Sequence, residues 1–512
     1  MTAARPASTL FTDVRIYDAD RVTGMSDPTD LLVQGNRISV IGRDARSRAG
    51  ADTQVIKGES HHLLIPGLIN AHFHSPANHL KASLPSLPLE MFMLYESPSD
   101  TTLIPTPREA YLRTMLGALE MLRAGTTAVQ DDAFVMPFPT PDIIDAIMQA
   151  YADSGIRACV ALDQPELSEA DKLPYLDLVD DPAVRATLDQ RAPMGRDDLL
   201  AMYGYLLSTW HGAEGGRLTA AASISAPQRV SVEYFEALDD ISRRHGIPLF
   251  AHMLETKVQR ALACEQPRFA GRSLVQYTAD LGLLSDRMNV IHAVWVDDSD
   301  LQLIADAGAV IVHNPISNLR LGSGVARFRR MRDLGITVAL GTDEAICDDS
   351  LNVWGVVKVA GLIHNVSGLD SDLWPTSSEV LDSLWRGGAA AMMQREGLGA
   401  IRQGYLADLS LLDLHTLSFT PLNDLRTHLV YCESGTSVRL TMVDGNVVFE
   451  NGEITSVDEQ ALLAETRELF VRKRPAVELA RHKAAHLFPH YQAVVRRAAA
   501  ADLGMSRWVE HT

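Results

Sequence analysis

Between about residue 64 and residue 400 the chain alternates short apolar runs with stretches of helical periodicity. "EALDDISRRHG" precedes "IPLFAHMLET", "RSLVQYTADLGLL" precedes "MNVIHAVW", "DDSDLQLIADAG" precedes "AVIVHNPISN", and "VARFRRMRDLG" precedes "ITVALGTDE". Apolar runs without polar alternation suit strands buried on both faces, and the helical stretches stop at a Gly or a short loop. Alternation of this kind predicts a parallel sheet covered by helices. The span of ~340 residues fits a (β/α)8 barrel with insertions. An open doubly wound sheet is the competitor, weakened because no G-x-G-x-x-G follows an early strand.

The two ends of the chain have another texture. "LFTDVRIYD", "DLLVQGNRISVIG" and "TQVIKG" near the start, and "ADLSLLDLH" and "SVRLTMVDGNVVFENGEI" late, alternate apolar and polar residues. "VDGNVVFENGE" predicts a hairpin with turns at Asp444-Gly445 and Asn451-Gly452. These pieces form either one small β-domain or two unrelated edge hairpins. The expected divisions are 1–64 and 401–456 for the strand-rich pieces, 65–400 for the barrel and 457–512 for a helical tail. His482, His486 and His490 in that tail have the spacing of one helical face. With no carboxylate or cysteine beside them, they suit a solvated or interface stripe better than a metal site.

Composition narrows the function. Lys+Arg of 46 against Asp+Glu of 65 gives a net charge of −19, which argues against nucleic acid or an anionic membrane as the main partner. Four cysteines, Cys159, Cys264, Cys347 and Cys432, lie far apart in no C-x-x-C pattern, so neither a disulfide framework nor a cysteine zinc knot is expected. The start of the chain lacks the pattern of a signal peptide, and no apolar run is long enough to span a bilayer. A cytoplasmic protein acting on a small molecule is expected.

The ionisable residues fall at particular places. "PGLINAHFH" ends on His72 and His74, "IPLFAH" on His252, "MNVIH" on His292 and "ITVALGTD" on Asp343. Barrel enzymes place their chemistry at the C-terminal ends of the strands. A lone His in an apolar strand is ordinarily a satisfied core residue, but five such residues at equivalent positions are hard to treat as chance packing. Imidazoles plus a carboxylate suit Zn²⁺, with Fe²⁺ possible, and a catalytic ion keeps an open position where water ionises near neutral pH. Glu255, three residues after His252, suits proton transfer there; otherwise it is an N-terminal charge on the following helix.

"PGLINAHFHS", "HMLET", "VIHAVW", "HNPISNLRLGSG" and "LGTDEAICDDS", in this order, resemble the amidohydrolase superfamily. The resemblance is to its branch of cytosine, guanine and S-adenosylhomocysteine deaminases and triazine hydrolases. It implies a metal-dependent (β/α)8 barrel carrying a small β-sandwich built from both chain ends. It implies His72, His74, His252 and Asp343 as metal ligands, Glu255 as proton shuttle, and His292 polarising the water or substrate. Some subgroups bridge two metals with a carbamylated lysine on the fourth strand. "RLTAAASISAPQRVS" has no lysine, so one metal ion is expected.

A Glu beside the metal-activated water favours hydrolytic deamination of a cyclic amidine or guanidine in an aminated heterocycle. The alternatives are hydrolysis of a urea, amide, N-alkylamine or C–Cl bond at the same site, and a non-catalytic binding relative. Asn318 and His313 resemble positions near the substrate in this branch, and Gln228 in "SAPQRV" suits reading a ring edge. Glu344 stands where relatives often carry Gly; with Asp131 and Asp132 it hints at a cationic substrate. The long segment after His74 looks like a lid, with His79, Glu90 and Glu96 as possible contacts. A homo-oligomer, dimer or tetramer, is expected.

Overall fold

The computed structural model describes residues 8–509 apart from Ser99. Its centre is a ring of parallel strands. Leu68–Phe73, Thr126–Asp132, Arg157–Ala161 and Leu218–Ala220 form one sheet, and Ala222–Ser223, Leu249–Met253, Met288–His292, Val310–His313 and Thr337–Leu340 form another. Leu218–Ala220 and Ala222–Ser223 are one strand broken at Ala221, whose N–H still donates to Val160. The ring closes between its first and last strands. Phe73 bridges Asp343 in parallel, the Asp343 N–H donates to the His72 carbonyl at 3.0 Å, and the Asn70 side chain bonds both the hydroxyl and the N–H of Thr342. Eight strands in sequence order make the expected barrel.

Mostly small and branched side chains, among them Ile69, Ala128, Cys159, Ala221, Ile291, Val310, Val312 and Ala339, with Phe250, fill the barrel's interior. One end is plugged by Ala389, Ala390 and Ala391, from the segment around the short helix Gly388–Ala391. The helices pack outside. Each expected helix is present, as Val232–His245, Leu274–Asp280, Asp298–Ala307 and Phe328–Asp333.

The two chain ends pair into one nine-stranded sheet. Ser8–Ile16 is its corner: most of the strand pairs with Thr29–Gln34 and Gln54–Lys57, whereas Arg15 and Ile16 pair with His62–Pro66. The register shifts between Phe11 and Val14, where Asp13 has φ 56°, and such a bulge bends a strand. Side chains from both halves, including Phe11, Leu31, Leu64, Leu409 and Met442, then meet in one core. The expected hairpins are there. Asp444 and Gly445 (φ 51° and 75°), and Asn451 and Gly452 (φ 50° and 92°), are left-handed pairs between Val438–Val443, Asn446–Glu450 and Glu453–Ile454, as two-residue turns of the hairpin hand require.

A buried ion cluster ties this sheet to the barrel. Arg157, on the third barrel strand, forks onto Asp408 at 2.8 and 3.0 Å and reaches Asp444 at 3.0 Å. Asp408 also accepts the Asp444 N–H at 2.9 Å.

The tail runs as helices Glu459–Ala484 and Phe488–Ala500, joined by a tight turn at Ala485–Leu487. That turn separates His482 from His490, and no metal-holding group among the described residues includes the three histidines. The second helix lies across the barrel's rim on Leu89–Glu96 and Lys257–Glu265: Tyr491, Val494 and Ala498 share a core with Met91, Leu94, Val258 and Ala261. No helix among the described residues is long and apolar enough to cross a membrane.

Arg157→Met leaves Asp408 and Asp444 buried without their cation. Losing one partner of a buried pair costs about 3–5 kcal/mol. A clear fall in the denaturation midpoint by calorimetry is expected, against little change for the exposed Arg472→Met.

Candidate metal centre and catalytic site

His72 and His74 leave the first strand on one side, with Phe73 between them buried against the helix layer. His252 follows Phe250 by two residues and so shares its inward face. The three imidazoles converge. Nε2 of His252 lies 3.2 Å from Nε2 of His72 and 3.4 Å from Nε2 of His74. Asp343 Oδ1 lies 3.4 Å from the first and 3.5 Å from the second of those partners.

The opposite edges of two rings are tied to backbone. His74 Nδ1 donates to the Asp132 carbonyl, and His252 Nδ1 donates to the Ser225 carbonyl at 2.8 Å. That fixes the tautomer and leaves Nε2 a bare lone pair. Burial, with His72 and His74 beside it, holds His252 well below its ordinary value. Burial likewise takes His72 down to about 3. Burial alone would raise the Asp343 carboxyl, but its hydrogen bond with His72 and the charges of His292, His72 and His74 keep it well below the usual carboxylate range. Nitrogen lone pairs and a carboxylate facing one point repel each other unless a cation sits between them. Three imidazole nitrogens and one carboxylate oxygen are a donor set for a divalent metal. A second tie fixes Asp343: the Ser317 hydroxyl donates to Oδ2 at 2.6 Å. Sequence reasoning passed over Ser317; its place in "HNPISN", just after a strand end, was the available signal.

Gly341 explains the first letter of G-T-D. A Cβ there would stand 2.5 Å from Asn314 Oδ1 and 2.9 Å from the Cβ and N of His72.

His292 reaches the group by a backbone device. Ile291 faces the barrel interior, so strict alternation would turn His292 toward the helices. Its φ of 71° breaks that alternation. Nε2 then lies 3.6 Å from Glu255 Oε2 and 3.7 Å from Asp343 Oδ2. Nδ1 donates to Asn318 Oδ1 at 2.9 Å. Asn318 therefore orients His292; the expectation of a substrate contact shrinks to its buried Nδ2, which has no partner among the described residues.

Glu255 is buried and does not cap the following helix. Thr256 does that, accepting the Gln259 N–H at 3.2 Å, while the Glu255 N–H donates to Gln259 Oε1. The Glu255 carboxyl is left free to face His292. Burial raises its pKa, opposed by His292 and reinforced by Asp343. Its Oε1 has no partner among the described residues.

The other expected contacts divide. Gln228 is buried with Oε1 unpartnered and lines a cavity beside the site. His313 does not join the site. Val310 and Val312 face inward, so alternation sends His313 out to the helix layer, against His364 (centroids 5.2 Å apart) and Phe328 (6.5 Å). Asp131 also serves structure, accepting from the Ser75 N–H and the Tyr151 hydroxyl. His79 packs on Phe470 of the tail. Glu344 is buried, and burial with the nearby charges of Glu96 and Asp343 pushes its carboxyl well above the ordinary value. Glu96, at the end of Leu89–Glu96, rises to about 7 by burial, and Glu90, which accepts from the Thr256 hydroxyl, does the same.

The sequence profile of the amidohydrolase family matches residues 63–448. The chain belongs to that family. It is 31% identical over 473 residues to the 5-methylthioadenosine/S-adenosylhomocysteine deaminase of Nitratidesulfovibrio vulgaris, covering 91% of this chain and 97% of that one. It is 29% identical to the 5'-deoxyadenosine deaminase of Methanopyrus kandleri, over 79% of this chain and 85% of that one. In fold it resembles an adenosine deaminase from Xanthomonas campestris with bound zinc, at TM-score 0.78 and 24% identity, covering 92% of this chain and 100% of that one. It also resembles the zinc complex of an atrazine chlorohydrolase from Arthrobacter aurescens, at TM-score 0.77 and 25% identity, covering 90% and 99%. The family fold is the barrel described above, and its members are hydrolases.

Gly341→Ala pushes the His72 side of the donor group aside. The variant is expected to keep its far-UV circular dichroism and to lose metal on dialysis against a weak chelator, measured by elemental analysis beside the parent protein.

Proposed function

We propose that this amidohydrolase deaminates an aminated heterocycle carrying a cyclic amidine or guanidine, using one zinc ion held by His72, His74, His252 and Asp343. The observation that carries this reading is Glu255. A buried carboxyl with a raised pKa and one free oxygen stands 3.6 Å from His292, on the flank of the donor group. The deaminases among the chain's relatives support it, and the donor set and the zinc in two structural neighbours support the choice of ion. No lysine stands on the fourth strand, Leu218–Ser223, which supports a single ion.

When bound, the ion supplies Lewis acidity and makes water ionisable near neutral pH. The chain's own groups do the rest. Glu255 takes a proton from the attacking water and passes it to the ring nitrogen next to the reacting carbon. His292, held by Asn318 through its Nδ1 proton, stabilises the oxygen that gains charge as that carbon becomes tetrahedral when Nε2 also carries a proton to donate. Asp343 Oδ2, 3.7 Å from His292 Nε2, takes the remaining water proton and delivers it to the exocyclic amine. The C–N bond breaks, ammonia leaves, and the ring keeps a carbonyl. Water and amidine are consumed one for one, with no redox change.

Glu255→Gln keeps shape and burial but cannot carry the proton. Ammonia release from a panel of aminated purines, pterins, pyrimidines and triazines is expected to fall by about 10²–10⁴-fold, with metal content unchanged. A parent protein that loads zinc and turns over none of the panel, or turns one over without ammonia, overturns the deaminase reading.

The base acts ionised, and its pKa lies above the ordinary 4.5. Activity is therefore lost as pH falls through that raised value. The acidic limb of kcat/KM is expected above pH 4.5 and absent from the residual activity of Glu255→Gln.

A further inference from the structure

The cavity beside the donor group is closed by the far end of the chain. It holds about 300 Å³. One side is polar and borders the site: Gln228, Arg229, Gln259 and Glu90 line it. Gln259 is bonded to the backbone of Glu255, and Glu90 to Thr256 next to it. The rest of the lining mixes apolar surface with Gln164, Thr187, Gln190 and Arg191. Its apolar part comes from Met93 of the helix Leu89–Glu96, Phe134 and Met136 beyond the second strand, and Leu487 and Tyr491 of the tail. Glu169 and Lys172 also border the cavity, but they bond each other.

The tail is firmly fastened over this opening. Arg481 donates to the Tyr95 carbonyl at 2.8 Å, and Lys257 to the Ala499 carbonyl at 2.8 Å. Past the last helix, Arg507 donates to the Val294 carbonyl at 2.9 Å, its own carbonyl accepts from the Val325 N–H at 2.8 Å, and Trp508 donates to the Gly322 carbonyl at 2.9 Å. These anchors lie on rim segments after the fifth, sixth and seventh strands and on the helix Leu89–Glu96. The tail is thus held to the rim independently of any ligand.

We propose that the C-terminal helix Phe488–Ala500 and the turn before it are a wall of the substrate site, and that Leu487 and Tyr491 select aminated heterocycles bearing an apolar substituent. The inference rests on the deaminase reading above for the ring, and on the cavity alone for the substituent. The carboxamides and Glu90 offer hydrogen bonds where the ring approaches the donor group. A substituent reaching the tail meets thioether, phenyl and aliphatic surface. An alkyl or thioether chain gains contact against Met93, Phe134, Met136 and Leu487, whereas a hydroxylated or charged one gives up water against that surface.

The test uses the full-length zinc-loaded protein and a series of one aminated purine alkylated at a ring nitrogen (methyl, propyl, hexyl), its exocyclic amine left as NH2. Affinity is measured by calorimetry, and kcat/KM by ammonia release. In the parent protein both are expected to rise with chain length. Leu487→Trp fills the apolar side. It is expected to lower affinity for the hexyl compound by about 10-fold or more, the scale of losing a methylene or two from a pocket, and by less for the methyl compound. Tyr491→Ala is expected to flatten the dependence, and Tyr491→Phe, which keeps the ring, to preserve it. Leu487 is only partly buried, so Leu487→Ala provides a second folded variant if Tyr491→Ala does not fold. Chain-length dependence in affinity that Leu487→Trp removes supports the wall even where no ammonia appears, and that silence counts against the deaminase reading alone. Chain-length dependence identical in the parent and Leu487→Trp, or absent from the parent, overturns the wall.

Discussion

Three imidazoles converging on one point, with Nε2 of His252 3.2 Å from that of His72 and 3.4 Å from that of His74, are the constraint on which this structure turns. Each ring is buried, and two are locked in the tautomer that makes the contact worst, because carbonyls of Asp132 and Ser225 take the Nδ1 protons. Such an arrangement is unfavourable by itself and favourable around a cation. The surrounding fold keeps the rings from moving apart. The first and eighth strands are joined by the Phe73–Asp343 bridge and the Asn70–Thr342 bonds, so His72 and Asp343 are held as one unit. Gly341 is small because that unit leaves it no room.

The rim carries a second cost of the same kind. Ser225, Leu254, His292 and Asp343 all have left-handed backbones, with φ of 60°, 51°, 71° and 63°. Each is non-glycine and stands just past or at the end of a different barrel strand. Such residues cost about 1–3 kcal/mol apiece and persist where the rest of the fold over-determines them. Here the twist serves a purpose visible in the contacts. It turns His292 from the helix side to the site, and it lets the Ser225 carbonyl meet His252. A barrel strand in regular alternation offers one inward side chain at its end, and these turns let neighbouring positions contribute as well.

The same turns explain what could be read from the sequence. Alternating helices and strands were legible because their pattern reflects burial, which is a local matter. His252 was legible because alternation from Phe250 sets its direction; His72 and His74 share one side by the same rule, and the register shift between Asn70 and Phe73 turns that side inward. His292 was found at the right place, but alternation would have sent it outward, and only its left-handed backbone brings it in. His313 has the same look in sequence, a His closing an apolar strand, yet no such turn rescues it and it faces the helices. Asn318, expected to touch substrate, holds His292 through Oδ1 and keeps only Nδ2 free. Ser317 was missed because a hydroxyl between loop residues carries no pattern of its own. The tail's place over the rim was illegible for a different reason. Its contacts join residues hundreds apart, and an amphipathic helix says that it packs without saying on what.

The carboxyl groups around the donor set extend the argument from the ion to its surroundings. Asp132, Glu96 and Glu344 are buried, and burial drives each upward in pKa, with the neighbouring Asp163 adding to all three. Asp163 Oδ2 itself lies 3.9 Å from His74 Nδ1. Several unneutralised carboxylates cannot share a dry space, so without a cation some of these groups hold protons. A divalent ion among the imidazoles adds positive charge close to all of them and shifts the balance toward ionisation. Metal binding and proton release are therefore coupled through this cluster as well as through the ligands. The charge pattern that is costly without a cation is the one that the ion relieves, so the affinity of the ion and the acidity of its surroundings belong to a single equilibrium.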